Sequence, residues 1–561
     1  MDNTSQVSLC HLYVFLNKIG LYEESLINLV KSFISLELVI SDENIINFHL
    51  LDHFHLLSLF CESPINCSDI AKLSNVNILR FVGDLNSSLG VRAVSPSPKH
   101  FTNCFYPLPS RGIVYNNLKT VFIQNSSIAN IDSLNKLKHL MIHKCKNIKS
   151  VESFKNLVTL QLYDNNFISN IPNSQAITTL YLSNCPKITR IPDSPNIESI
   201  DLSKCQNIED INNLKSVTSL EIRSCDKIRD ISDLVEIEYL RLHNSNIDNI
   251  TDLIKIKTLS LHKCRNIRDI SNLVEIDTLT IIGCHNITNI SNLVKIKRLM
   301  LNGCNIIDIS NLVEIESLNI SSMNNIDDIS NLTKINKLRL TKCQNITDIS
   351  NLVEIKTLFL CSCQNITNID TLINIETLFL NNCKNITNIS TLENLKSLTL
   401  TRCNKITDIS TLQNLTDINI NFCSSITSVR YNDNNKIQKI VARNCKSITD
   451  INIINENSLK HVEISSNHKL EFINIKNSRR LKFIHIGGND KLVLVTIENT
   501  LHLKDINVCN NKVLEYASIT NARLTNINTI INDIKMLEII NCGRLVNLST
   551  IKGISTLLIK S

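Results

Sequence analysis

The sequence predicts a repeat solenoid, a fold in which short coils stack on one another, and two observations carry this prediction. One twenty-residue repeat occurs five times between residues 331 and 430. Each copy contains the pattern L-x-L-x-x-C or its isoleucine form, and the leading residues are Leu338, Leu358, Leu378, Leu398 and Ile418. A unit with so few apolar positions cannot bury its own hydrophobic face, so it must stack on its neighbours.

The apolar spacing within one coil predicts a short strand followed by a tight return. Apolar residues alternate around Phe359, which points Leu358 and Leu360 to the same side of a strand. From Ile366 to Leu378 they recur at every third position, a spacing typical of 3₁₀ or extended three-fold backbone. Stacked in register, the coils are expected to form one parallel sheet on the concave face, with Leu, Ile and Cys side chains behind it.

This repeat resembles the leucine-rich repeat, whose pattern is L-x-x-L-x-L-x-x-N/C-x-L. The matching residues are Leu352, Ile355, Leu358, Leu360, Cys363 and Ile366. The turn at residues 348–352 is similar to that of short internalin-type repeats. In one departure, the apolar residue follows the cysteine by three positions rather than two, so the turn after the strand is expected to differ. The resemblance covers roughly four fifths of the chain.

The amino-acid composition of the chain gives a second resemblance. Its richness in Asn, Ile and Lys, combined with this repeat, is similar to the leucine-rich-repeat families of insect poxviruses and other large DNA viruses. This resemblance implies a viral origin.

Residues 1–110 lack the repeat and are predicted to form a small helical N-terminal domain that caps the first coil. Helices are predicted at residues 8–19, at residues 23–39, and from residue 41 to about residue 60. The prolines of residues 106–109 mark its boundary. In some ubiquitin-ligase receptors an F-box-like adaptor precedes leucine-rich repeats, although this segment has no Leu-Pro opening and no Trp.

The repeat array divides into two parts. Residues 111–430 are predicted to form coils of 19 or 20 residues, beginning with a strand at Val121. Residues 431–561 diverge: after Ile418 the step lengthens to 22, and leucines then recur every eleven residues. Two elevens make one coil, so both faces are expected to carry a strand. Ile440 and Ala517 are seven elevens apart. An odd number of half coils requires an extra half coil, a loop, or a strand that changes face before twenty-residue coils return at the C-terminus.

Composition limits the function classes. Hydrophobic residues make up 43% of the chain and aromatic residues 4%, with no Trp, which predicts an aliphatic core. The formal net charge of +6 is interpreted as spread along the chain, so no nucleic-acid partner is expected. No apolar stretch reaches membrane-spanning length and the chain opens without a basic n-region. Neither a membrane segment nor a signal peptide is therefore predicted, and a cytoplasmic location is expected.

The cysteines and sequons agree with a cytoplasmic location. Thirteen of the 20 cysteines share one repeat position and are predicted to be reduced and buried: Cys145, Cys185, Cys205, Cys225, Cys264, Cys284, Cys304, Cys343, Cys363, Cys383, Cys403, Cys423 and Cys445. In a secreted chain, sequons such as those of Asn345, Asn365 and Asn385 would carry a ladder of glycans along a stacked edge.

No catalytic or metal-binding motif is found. The patterns G-x-x-x-x-G-K-[ST], G-x-G-x-x-G and H-E-x-x-H are absent, so neither an enzyme nor a cofactor is predicted. The cysteine column would hold parallel rather than convergent thiols, which disfavours a metal. A zinc site near His49 and His53, with Asp52, Cys61 and Cys67, lacks paired cysteines at the usual spacing, and half-buried histidines are the preferred interpretation.

The predicted binding surface consists of side chains that project from the concave sheet. One group, beside Asp201 and Glu221, contains Arg223, Tyr239, Arg241, His243 and His262; the other is the pair Phe359 and Phe379. Arg and aromatic side chains dominate interface hot spots, although isolated exposed apolar residues are also normal on any surface. The first group would suit an acidic partner and the second an apolar anchor. The sequence therefore predicts a non-enzymatic protein-interaction scaffold; the alternative is the substrate receptor of a ubiquitin ligase.

Overall fold

The structure of the chain, a computed structural model, describes residues 35–40, 56–61, 78–83, 119–125, 131–433, 436–523, 526–542 and 551–560. It is a parallel β-solenoid of about 21 turns, which confirms the predicted fold class. The chain divides into two units, Met1–Glu275 and Ile276–Ser561. No helix in the described ranges is long and apolar enough to cross a bilayer.

Unit 1 is one ladder of parallel strands, each paired with the next in the chain. A short 3₁₀ helix, Asp132–Leu134, follows the fourth strand. The strands are β1 (Ser35–Ile40), β2 (Leu56–Cys61), β3 (Ile78–Gly83), β4 (Thr120–Gln124), β5 (His139–His143), β6 (Thr159–Tyr163), β7 (Thr179–Ser183), β8 (Ser199–Ser203), β9 (Ser219–Arg223), β10 (Tyr239–His243) and β11 (Thr258–His262).

The N-terminal strands correct two of the predicted helices. β1 and β2 lie where the second and third helices were expected, and no helix occurs in the described segments before residue 119. The ladder aligns Leu57 with Leu36 and with Leu79, and Leu79 with Val121, so it begins before Val121. The short apolar runs of β1 to β3 fit strand and helix periods equally well, and parallel pairing at coil-like separations decided between them. The remaining residues before 119 lie outside the description.

Unit 2 begins with the same kind of ladder and continues into coils with two strands each. The strands are β12 (Thr278–Ile282), β13 (Arg298–Asn302), β14 (Ser317–Ser321), β15 (Lys337–Thr341), β16 (Thr357–Cys361), β17 (Thr377–Asn381), β18 (Ser397–Thr401), β19 (Asp417–Asn421), β20 (Ser428–Asn432), β21 (Lys439–Arg443), β22 (Asp450–Ile454), β23 (His461–Ser465), β24 (Phe472–Lys476), β25 (Phe483–Gly487), β26 (Leu494–Glu498), β27 (Asp505–Cys509), β28 (Tyr516–Thr520), β29 (Asn526–Ile540) and β30 (Ile551–Lys560).

The return segment of each twenty-residue coil is tight and non-α, as predicted. The Leu352 N–H donates to the Ile349 carbonyl (3.1 Å) and the Ile355 N–H to the Leu352 carbonyl (3.2 Å), which is the spacing of 3₁₀ turns. The D-I-S motif is an Asx turn, because Asp348 Oδ1 accepts the Ser350 N–H at 2.8 Å. These local bonds satisfy the backbone where no sheet partner is available.

Two ladders occupy the 22-residue coils, which confirms the prediction that both faces carry a strand. β21, β23, β25 and β27 continue from β19, whereas β20, β22, β24, β26 and β28 form the second ladder. The odd number of half coils is resolved by β29, which pairs with both β27 and β28. Leu537 and Leu557 therefore align with Ala517 of the second ladder rather than with the first.

The core is aliphatic, with the cysteine column along one side. All thirteen column cysteines are free and buried, as predicted. Their thiols meet backbone carbonyls; Cys403 Sγ donates to Leu380 O (3.5 Å) and to Thr401 O (3.4 Å). Burial raises the pKa of the Cys185, Cys383 and Cys403 thiols to about 12. These three thiols are therefore neutral at physiological pH and pack as small apolar groups.

In the 22-residue coils the column position is taken by asparagine. Asn467, Asn489 and Asn511 are buried and successive. Asn489 Oδ1 accepts the Asn467 N–H at 3.0 Å, and Asn511 Oδ1 accepts the Asn489 N–H at 3.0 Å. Each side-chain oxygen thus accepts a hydrogen bond from a backbone N–H of the preceding coil. These three asparagines continue the cysteine column and are named here the amide ladder.

Candidate functional site

Strand register brings the first predicted group of side chains together in unit 1. Arg241 on β10 lies directly between Glu221 on β9 and Ser260 on β11, and His243 lies between Arg223 and His262. Each strand alternates buried and outward residues, so all five predicted side chains project from the same face. Arg223, Tyr239, Arg241, His243 and His262 are named here the arginine–histidine cluster.

One carboxylate holds both arginines of the cluster. Glu221 Oε1 accepts a hydrogen bond from Arg223 Nε at 2.6 Å and lies 3.5 Å from an Nη of Arg241. The Glu221 side chain is only 14% exposed, against 46% and 42% for the two arginines. With Asp201 paired to Glu221 on the adjoining strand, two carboxylates stand beside two guanidiniums. The cluster therefore has no excess positive charge while its histidines are neutral.

The aromatic members of the cluster are packed against their neighbours. The guanidinium of Arg241 lies over the Tyr239 ring at 5.8 Å, and the His243 and His262 rings are 5.7 Å apart. Burial, with the positive fields of His243 and the two arginines, lowers the pKa of His262 below its ordinary 6.5. Burial and the neighbouring Glu221 raise the pKa of Asp201. Full protonation of the cluster therefore needs a pH below the usual range of histidine.

The second predicted group is a neighbouring pair of phenylalanines in unit 2. Phe359 on β16 and Phe379 on β17 are register partners, with ring centroids 5.6 Å apart and planes tilted by 37°. Arg339, one strand earlier, places its guanidinium 5.6 Å from the Phe359 ring. Both phenylalanines are half-buried rather than freely exposed. The pair therefore forms a small apolar surface covered at one end by a cation.

Strands β21, β23 and β25 carry outward residues that the sequence analysis did not identify. His461 and Phe483 stack with centroids 4.7 Å apart and planes 13° from parallel. The Arg443 guanidinium donates two hydrogen bonds to the Glu463 carboxylate, from Nε at 2.6 Å and from Nη2 at 2.5 Å. The predicted binding residues all lie in the twenty-residue coils, whereas His461 and Phe483 lie in the 22-residue coils. Their 22-residue spacing was the available signal.

No group of three or more metal-binding side chains occurs in the part of the chain that the structure describes. The weighed zinc residues His49, Asp52, His53 and Cys67 fall outside that part, and Cys61 is described only as part of the backbone of β2. That interpretation stays a prediction.

Comparison with known proteins finds similarity to solved leucine-rich-repeat structures alone. No protein-family model matches the chain, and neither does any curated protein. Among solved structures, an internalin from Listeria monocytogenes is 23% identical, with 55% of this chain and 82% of that chain covered and a TM-score of 0.31. The functional domain of InlJ from Listeria monocytogenes, described as including a cysteine ladder, is 15% identical over 73% of this chain and 74% of that one, with a TM-score of 0.36.

A third solved structure, CroV588, is described as a circular leucine-rich-repeat protein. It is 12% identical, with 91% of this chain and 76% of that chain covered and a TM-score of 0.44. These structure neighbours are internalins and other leucine-rich-repeat proteins. The parallel β-solenoid with coils of about 20 residues is itself consistent with this repeat class, which confirms the resemblance found in the sequence.

Proposed function

We propose that the chain is a non-enzymatic protein-interaction scaffold that binds a protein partner with the arginine–histidine cluster. The observation that carries the proposal is the bridging position of Glu221, which holds Arg223 and Arg241 beside Tyr239 on adjoining strands. Side chains held in place before binding lose less conformational freedom when a partner arrives. Arg and Tyr on such a rigid surface are typical hot-spot residues.

Arg241 also retains an unused donor. Its Nε atom is buried and has no hydrogen-bond partner among the described residues. A buried donor without an acceptor costs free energy, and a partner that draws the guanidinium outward to one of its own oxygen atoms would remove that cost. Arg241 is therefore the proposed centre of the interface.

A cytoplasmic location is part of the proposal, and the sequon asparagines support it. The amide nitrogens of Asn345, Asn365 and Asn385 donate to carbonyls of the preceding coils at 2.6 to 2.8 Å. A glycan attached to these nitrogens would have to break the bonds between stacked coils. The thirteen free, buried thiols also suit a reducing compartment.

The test compares tagged full-length variants as baits in lysate of the native host cell. Quantitative mass spectrometry identifies the partner, and its affinity for each purified variant is then measured. Arg241→Ala with His262→Ala is expected to weaken binding more than about tenfold, or roughly 1.4 kcal/mol. Arg190→Ala is the matched control, because Arg190 is 76% exposed and lies off the strand face.

Unchanged affinity in the double variant, with an intact circular dichroism spectrum, would remove the cluster from consideration. If Phe359→Ala with Phe379→Ala weakens binding instead, the partner uses the phenylalanine pair as an apolar anchor. Salt sensitivity separates the two surfaces, since an apolar anchor is nearly independent of ionic strength.

The alternative, a ubiquitin-ligase substrate receptor, assigns recruitment to an F-box-like domain in residues 1–110. It predicts that ligase subunits co-purify stoichiometrically with the full chain, whereas the scaffold proposal predicts that they do not. The described segments of that region are strands rather than helices, so the scaffold is preferred.

A further inference from the structure

The positive charge of the chain is concentrated in the 22-residue coils. Residues 436–523 contain 14 Lys and Arg against 8 Asp and Glu, a net charge of +6, which equals the net charge of all 561 residues. The remainder of the chain is balanced. The expectation of no nucleic-acid partner depended on an even spread of charge, and that spread holds only outside this region.

Three lysines in this region stack on consecutive coils. The Lys460 N–H donates to the Gln438 carbonyl (2.9 Å), the Lys482 N–H to the Lys460 carbonyl (3.0 Å), and the Lys504 N–H to the Lys482 carbonyl (3.3 Å). These direct backbone bonds place the three residues side by side, about 4.8 Å apart. All three are exposed. Lys460, Lys482 and Lys504 are named here the lysine strip.

Two exposed arginines extend the strip. Arg479 and Arg480 lie in the turn just before Lys482, a turn closed by the bond from the Leu481 N–H to the Ser478 carbonyl (3.1 Å). The five cations of the strip and turn thus lie on three consecutive coils, along about 10 Å of the ladder.

These five cations lack the ion pairs that several lysines of the twenty-residue coils make. Lys255 pairs with Glu236 of the preceding coil (2.6 Å), and Lys334 pairs with Glu314 (2.7 Å). In contrast, none of the five forms an ion pair with a described carboxylate; Lys460 Nζ donates to the neutral Gln438 at 2.8 Å. The side chain of Asp505, which follows Lys504, lies outside the described part. No carboxylate among the described side chains therefore neutralises the strip by direct pairing.

An aromatic surface borders the strip. His461 and Phe483 directly follow Lys460 and Lys482, and their half-buried rings form the 4.7 Å stack on the same face of β23 and β25. A row of unpaired cations beside stacked rings is the combination that tracks a phosphate backbone and receives unpaired bases. The two arginines add donors suited to phosphate oxygens.

We infer that the lysine strip, with Arg479, Arg480 and the His461–Phe483 stack, is a binding site for single-stranded nucleic acid. Phosphate groups recur at every nucleotide, whereas carboxylates on a folded protein rarely form so continuous a row, so the density of unpaired cations favours the nucleic acid. Recognition is through the backbone and the rings, and is therefore independent of base sequence.

The experiment measures fluorescence anisotropy of a fluorescein-labelled 20-nucleotide oligo(dT) with the full-length chain between 50 and 200 mM salt. The triple variant Lys460→Gln, Lys482→Gln and Lys504→Gln is expected to bind more than about tenfold more weakly at the lowest salt. Its slope of log affinity against log salt should be smaller by about 2, since each lost phosphate contact on a single strand removes roughly 0.7. Phe483→Leu should weaken binding several-fold and leave the slope unchanged.

The matched control is Lys255→Gln, Lys334→Gln and Lys396→Gln, which removes the same charge from lysines that are exposed and ion-paired. It is expected to change affinity less than about twofold. Equal losses in both triple variants would overturn the proposal, because only net charge would matter. The absence of binding at 50 mM salt would also overturn the proposal. The same holds if the chain binds a double-stranded DNA of the same length with equal affinity, or if polyglutamate at the same charge concentration displaces the oligonucleotide.

Discussion

Unit 2 contains two kinds of coil, which differ in the residue two positions after the strand. This position is called here the corner. In the twenty-residue coils of residues 331–423, the residue two positions after the strand is a cysteine whose thiol makes weak bonds to carbonyls, as at Cys403. In the coils after Cys445 the same position of the first ladder holds an asparagine, such as Asn489, whose amide links three coils. The first kind has one strand per coil and the second has two.

The difference shows what the corner requires. Where the chain enters a tight 3₁₀ return, local bonds already satisfy much of the backbone, and a small apolar group suffices to fill the space. In both kinds of coil the buried N–H of the corner residue donates to the side chain of the next coil: the Cys205 N–H to Cys225 Sγ at 3.4 Å, and the Asn467 N–H to Asn489 Oδ1 at 3.0 Å. The amide ladder of the two-strand coils therefore replaces a weak sulfur acceptor with a stronger oxygen acceptor.

The largest expected effect tests what the two kinds of coil share, an aliphatic interior. Leu360 has no exposed surface, so Leu360→Asp would bury an unpaired charge and should cost about 4 kcal/mol or more. Thr399→Asp, on the outward face, should cost little. Urea unfolding of both variants measures the difference, and equal stabilities would mean that the inward and outward assignments are wrong.

The comparison itself is tested by removing each corner side chain. Asn489→Ala leaves the buried Asn467 N–H without its acceptor, removes a donor to the Ile464 carbonyl, and should cost about 3 kcal/mol. Cys403→Ala removes only a small apolar group and should cost about 1 kcal/mol. If the two substitutions are equally costly by chemical denaturation, the amide ladder has no special role.

Alkaline pH should destabilise the cysteine coils selectively. The pKa of the Cys403 thiol is about 12 in the folded chain against an ordinary value of 9.0, so between these values the unfolded thiol ionises while the folded one stays protonated. Stability present below pH 9 is therefore lost as the pH rises toward 12. Cys403→Ala should reduce the loss measured between pH 7 and pH 10 by about 1 kcal/mol. A loss that is identical in the variant would contradict this account.

The smallest effect concerns the Asx turn found in the twenty-residue coils. Asp348→Asn keeps an acceptor for the Ser350 N–H and should leave stability at pH 7 unchanged, whereas Asp348→Ala should cost about 1 kcal/mol. The Ser350 N–H lowers the pKa of Asp348, so its contribution is present above the ordinary pKa and is lost as the pH falls. Thermal unfolding at pH 3 and pH 7 should therefore show a weaker acid dependence in Asp348→Asn.

Much of the fold follows from the sequence because its periodicity is geometric. A repeat of 20 residues led by Leu338, Leu358 and Leu378 permits only one register, and the structure has it. The N-terminal strands were missed because a six-residue apolar run such as β1 has too few periods to separate strand from helix. The turn of each coil was identified as a motif, but its hydrogen bond was not.

The candidate site was predictable only in part, because its chemistry depends on side-chain conformation. Strand period and register bring Arg241 beside Glu221, but a single carboxylate oxygen serving two guanidiniums depends on rotamers that no spacing specifies. The same holds for the His461–Phe483 stack. The lysine strip could have been predicted from the sequence, because its 22-residue spacing and the local excess of positive charge are both present there.

Strand β29 makes the length of the array adjustable. Because it pairs with both of the last two strands, β27 and β28, the array can end after an odd or an even number of half coils. Duplication or loss of one eleven-residue unit during evolution would therefore keep every strand in a ladder, whereas other lengths would turn apolar side chains outward. Deletion of residues 470–480 should leave one cooperative unfolding transition at reduced stability, because Asn489 no longer stacks on Asn467, and deletion of residues 470–479 should abolish it.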